Sequence, residues 1–97
     1  MPKAKLVLHT RYIDEQGGLV EMKAYHVPKT ANAPHGFKYS LVYIRGGQRL
    51  VGYDNHERKG DHRHYLSDTA PYVFTTVDRL IEDFLRDVGA IRKESKR

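Results

Sequence analysis

Apolar and polar positions alternate with period two over most of the first half of the chain. Leu6, Leu8, Thr10 and Tyr12 share one parity over residues 4–13, and Val7, His9, Arg11 and Ile13 share the other. That alternation predicts a strand. Asp14-Glu15-Gln16-Gly17-Gly18 supplies turn chemistry, and residues 19–27 alternate again, so the two segments read as a hairpin. Residues 28–36 carry two prolines and a glycine and lose all period, which marks a loop. The strongest strand pattern is 37–45, with Phe37, Tyr39, Leu41 and Tyr43 on one face and Val42 and Ile44 on the other. Apolar residues on both faces predict a central strand. Gly46-Gly47 then turns the chain into a fourth strand, 48–55, and Tyr72-Val73-Phe74 is a candidate for a short fifth.

The period changes after Thr75. Val77, Leu80, Ile81, Phe84, Leu85 and Val88 recur at helical spacing, with Asp78, Arg79, Glu82, Asp83, Arg86 and Asp87 between them. Thr75 is placed to cap the helix three residues before Asp78, and Gly89 suits the position just past its end. The predicted fold is α+β: an antiparallel meander of four or five strands with one C-terminal amphipathic helix packed on a face. One domain is expected over residues 1–91, followed by a basic tail over 92–97.

Composition narrows the class. The 97 residues contain no cysteine, which excludes disulfides and thiolate metal sites and fits a reducing, cytoplasmic interior. No apolar run approaches a membrane span, and the first residues show no secretory pattern. The net charge of +5 favours polyanion partners, although residues 92–97 alone supply +3 of it. An exposed edge on so small a sheet would allow a homodimer.

The segment from Tyr53 to His64 stands apart from these patterns. Its sequence, Tyr-Asp-Asn-His-Glu-Arg-Lys-Gly-Asp-His-Arg-His, holds three of the six histidines. A core has no need of so dense a polar run. If His62-Arg63-His64 is extended, His62 and His64 share a face and Arg63 opposes them. Two chemistries suit this set. Histidines can serve as base and acid on RNA, whose 2′-hydroxyl is its own nucleophile. Here His62 and His64 are the candidates, with Asp54 and His56 in support; Arg58, Lys59 and Arg63 are candidates for binding phosphate, and Asn55 for binding substrate. Alternatively Asp54, His62 and His64 could hold a divalent metal that activates water. Tyr53 and Tyr65 flank the run as candidates for stacking on a base. The bland alternative is a solvated strand edge whose charges deter aggregation. His9, His26 and His35 are isolated and read as structural.

Gly52-Tyr53-Asp54-Asn55-His56, followed by Gly60-Asp61-His62-Arg63-His64, resembles the signature of the TumE-like toxin family of toxin–antitoxin loci. Asp54, Asn55, His62 and His64 match that pattern. Asp61 stands where many relatives carry another histidine, which weighs against a three-histidine metal site. The resemblance implies a toxin paired with an antitoxin protein and acting through RNA. The expected function is therefore a small, metal-independent endoribonuclease. A metal-dependent nuclease and a non-catalytic module that binds nucleic acid or a partner are the alternatives.

Overall fold

The alternation is realised almost residue for residue in the computed structural model, which describes residues 4–31, 33–55 and 60–95. Four strands stand where the pattern places them: β1 (Lys5–Ile13), β2 (Leu19–His26), β3 (Phe37–Arg45) and β4 (Gln48–Asp54). Two more follow, β5 (His62–Tyr65) and β6 (Asp68–Pro71), and then helix α1 (Val77–Ser95). All six strands form one antiparallel sheet in the order β1-β2-β3-β4-β5-β6.

The count of four or five strands is thus corrected to six. Tyr72-Val73-Phe74 is not a strand, and β6 was invisible because Asp68-Thr-Ala-Pro is exposed throughout and has no apolar alternation to read. The helix also differs from expectation. Its cap is Thr76, whose Oγ1 accepts the Arg79 N–H at 3.1 Å. It runs through Gly89 and across the expected tail boundary, because Val88 and Ile91, three apart, both bury against the sheet.

The helix covers one face only. Val20, Met22, Ala24, Tyr39, Leu41, Tyr43, Val51 and Tyr53 meet Leu80, Phe84, Val88 and Ile91 there as the core. Each large side chain so buried stabilises by about 1.5–3 kcal/mol gross. Asp83 and Asp87, expected on the polar side of the helix, are buried instead, while Leu85 points outward. The reason is a set of tyrosine hydroxyls that need acceptors. Tyr53 donates to Asp87 at 2.5 Å and Tyr72 to Asp83 at 2.6 Å. Tyr43 donates to Asp14 and Tyr39 to Asp61, each at 2.6 Å. Burial raises the pKa of all four hydroxyls, and the bonds to aspartate raise them further, Tyr53 to about 12.

Candidate functional site

Strand pairing assembles the opposite, helix-free face into two cross-strand rows. One runs His9–Lys23–Ser40–Asp54–His62–Pro71, and the next Arg11–Glu21–Val42–Gly52–His64–Thr69. Asp54, His62 and His64 therefore meet on this face. The two imidazoles lie nearly parallel, 26° apart, with ring centres 6.4 Å apart. His62 Nδ1 sits 3.0 Å from the Gly60 carbonyl. A carbonyl only accepts, so the proton is on Nδ1, and Nε2 of the neutral ring carries a lone pair. Gly60, at φ +76°, makes the turn that brings its carbonyl there.

His64 is held from both sides. Its Nε2 lies 3.4 Å from Asp54 Oδ2, and its Nδ1 lies 3.2 Å from the Thr69 hydroxyl. Burial pulls its pKa below the ordinary value and the Arg49 charge pulls it further, with Asp54 opposing. His64 is thus held neutral at neutral pH, with Nε2–H directed to the carboxylate.

Arg49 is the residue that sequence reasoning missed. By simple parity it belongs with Val51 and Tyr53 on the helix face. A β-bulge changes this: Tyr43 pairs with Val51 but Ile44 pairs with Arg49, so Leu50 is the extra residue and Arg49 is turned to the histidine face. Gly52 then makes room for it. A Cβ on Gly52 would lie 3.0 Å from Arg49 Cδ and 3.5 Å from His64 Cδ2. The available signal was a glycine inside a strand, which marks a close approach.

Several expected site residues face elsewhere. Tyr53, Arg63 and Tyr65 have odd parity and point to the helix side. Tyr53 is wholly buried beneath the helix, with no ring face open to a base. Arg63 Nε donates to Asp87 Oδ2 at 2.7 Å and to the Tyr53 hydroxyl at 3.0 Å, and its guanidinium covers the Tyr65 ring at 5.0 Å. Arg63 therefore ties β5 to the helix from the face opposite the histidines, and it covers Tyr65. Asn55 is buried as well: its Oδ1 accepts Tyr39 N–H at 3.0 Å and its Nδ2 donates to the Phe37 carbonyl at 2.7 Å. It extends the β3–β4 pairing past the last ladder residue. His56, Arg58 and Lys59 lie outside the described residues, as does Glu57.

His35, read above as isolated, forms a second cluster with Asp61 and Tyr39. His35 Nε2 is 2.9 Å from Asp61 Oδ2, the oxygen that also accepts from Tyr39. His35 Nδ1 accepts the Phe37 N–H at 3.1 Å, and Phe74 packs on the ring at 4.2 Å. Both ring nitrogens are engaged, so this cluster ties the 28–36 loop to the segment entering β5. Among the described residues, no group of three His, Cys, Asp or Glu side chains is placed to hold a metal. No helix among them is long and apolar enough to cross a membrane.

The family model described as Toxin TumE matches residues 2–92. No curated protein and no solved structure matches.

Proposed function

The chain belongs to the TumE toxin family, and on that premise we propose that it is the toxin half of a toxin–antitoxin pair, acting as an endoribonuclease on the helix-free face of the sheet. The observation that carries this reading is the pair of parallel imidazoles of His62 and His64, flanked by Asp54 and Arg49. His62 is the base: its Nε2 lone pair accepts the proton of an RNA 2′-hydroxyl. The oxygen so freed bonds to the adjacent phosphorus, and the bond from phosphorus to the 5′-oxygen breaks. His64 is the acid that protonates this leaving oxygen. A bound phosphodiester brings the charge His64 requires. It offsets Arg49, one of the groups depressing the His64 pKa, and so favours the imidazolium in the complex. Arg49 donates to the non-bridging oxygens as negative charge builds on them. Asp54 orients His64 through Nε2 when the site is empty. The products are a 2′,3′-cyclic phosphate and a 5′-hydroxyl.

The test is cleavage of a mixed-sequence RNA by the purified protein, with product ends identified by mass spectrometry. His62→Ala and His64→Ala should each lower the rate by roughly 10²–10⁴-fold. EDTA should leave it unchanged, and a 2′-deoxy sugar at the cleaved position should block it. Cleavage that persists in the double variant removes the histidines from the reaction. Loss of wild-type cleavage in EDTA would return the site to metal chemistry through Asp54, His62 and His64. RNA binding without any product favours the non-catalytic alternative.

A further inference from the structure

The helix-free face carries a second feature in line with the histidines. A half-open depression of about 230 Å³ lies over β2 and β3, lined by Glu21, Lys23, Tyr25, Lys38, Tyr39 and Ser40. The row that holds Asp54 and His62 passes through Ser40 to Lys23. Tyr25 and Lys38, directly opposed across β2 and β3, form its far wall. With neighbouring strands about 4.8 Å apart, Ser40 and Lys23 stand roughly 10–15 Å from His62. Lys38 is exposed, and the ammonium of Lys23 lies 3.8 Å from the Glu21 carboxylate, which lines the same depression. At 3.8 Å, with the lysine side chain 41% exposed, this pair is weak and an anion can compete with Glu21 for Lys23.

We propose that this depression is a nucleotide subsite for single-stranded RNA, holding a residue next to the one cleaved: Tyr25 stacks on its base, and Lys23 and Lys38 take its phosphate. This inference rests on the reading of the face as an RNA site. The chemistry selects an unpaired strand over a duplex. A base has to leave its stack to lie on an aromatic ring in a hollow of this size, which single strands allow and A-form helices do not. Two lysines beside one aromatic ring supply backbone attraction without reading sequence.

The measurement is the affinity of the full chain for a mixed-sequence 2′-O-methyl single strand, which cannot be cleaved, by fluorescence anisotropy across a salt series. Lys23→Ala/Lys38→Ala should reduce the slope of log affinity against log salt by about 0.7, the value for one single-strand phosphate. Tyr25→Leu should weaken binding roughly tenfold while Tyr25→Phe binds like wild type. Lys29→Ala/Lys93→Ala, which removes equal charge away from the depression, should leave the slope unchanged. The subsite is overturned if the wild type does not bind, if the first double variant keeps the wild-type slope, or if both double variants lose slope equally. It is also overturned if these variants keep the oligonucleotide and lose only a protein partner. Wild-type binding of this strand with no cleavage of the matching all-ribose RNA would refute the ribonuclease reading and leave the subsite standing. Cleavage with unaltered binding by the variants would refute the subsite alone.

Discussion

His64 is where burial, charge and hydrogen bonding compete most visibly. Its folded pKa lies below the unfolded value of 6.5, chiefly through burial and then through Arg49. Such a group favours the folded state while neutral, so its contribution is fully present above pH 6.5 and is lost as pH falls through the lower folded pKa. In a titration followed by NMR, the His64 midpoint should therefore lie below 6.5. Arg49→Ala should raise it and Asp54→Asn should lower it further. A midpoint that does not respond to Arg49→Ala would place the guanidinium away from the ring. That His62 and His64 share a face was legible from period two, whereas the register that sets Asp54 opposite His62 depends on a loop whose length alone does not determine it. Arg49 was not legible, because a bulge reverses parity locally and leaves no signature of its own beyond Gly52. The same parity, carried one residue further, would have placed Tyr53, Arg63 and Tyr65 on the other face.

At the level of elements, β5 carries the proposed chemistry and is only four residues long. Its ladder bonds to β4 and β6 are few, and β6 is itself an exposed edge. What anchors it is the Arg63–Asp87 pair, which reaches from the back of the strand to the helix at 2.7 Å. Asp87 is buried, and removing it takes from Arg63 the carboxylate it pairs with, whereas removing Arg63 leaves Asp87 only the longer 3.9 Å contact with Arg86 among the described cations. Removal of one partner from a buried pair costs roughly 3–5 kcal/mol, and partial exposure of Arg63 reduces this to about 2–3 kcal/mol here. Asp87→Ala should lower stability by that amount in urea denaturation and should also reduce RNA cleavage, although residue 87 lies on the face away from the histidines. Full activity in a destabilised Asp87→Ala protein would show that β5 holds its place unaided. The helix and the first four strands were legible from period, and β6 was not. The polar register of the helix was not, because the tyrosine hydroxyls that draw in Asp83 and Asp87 come from distant parts of the chain.

Across the whole molecule, about 49 Å long, the four tyrosine–aspartate bonds link strands, turns and helix at separate points. Asp14 is the most heavily engaged. Its Oδ1 accepts from Gln16 and Gly18, while its Oδ2 accepts from Tyr43 and lies 3.4 Å from Arg92. Burial pushes its pKa up, but these bonds and the Arg92 charge outweigh it and hold the carboxyl below 3.8. A depressed carboxyl stabilises fully above its unfolded pKa, and that contribution is lost as pH falls below about 4 through the folded value. Asp14→Asn should therefore be less stable at neutral pH and should lose less stability than wild type between about pH 4 and 2. Parallel losses in thermal melts would show that Asp14 contributes nothing to acid unfolding. The Arg63–Asp87 tie also has a consequence in time. Synthesis proceeds from the N-terminus, so the strand bearing both histidines emerges from the ribosome before residue 87 does. A chain ending anywhere between residues 65 and 86 carries Arg49, Asp54, His62 and His64 but lacks the carboxylate that braces β5 from behind.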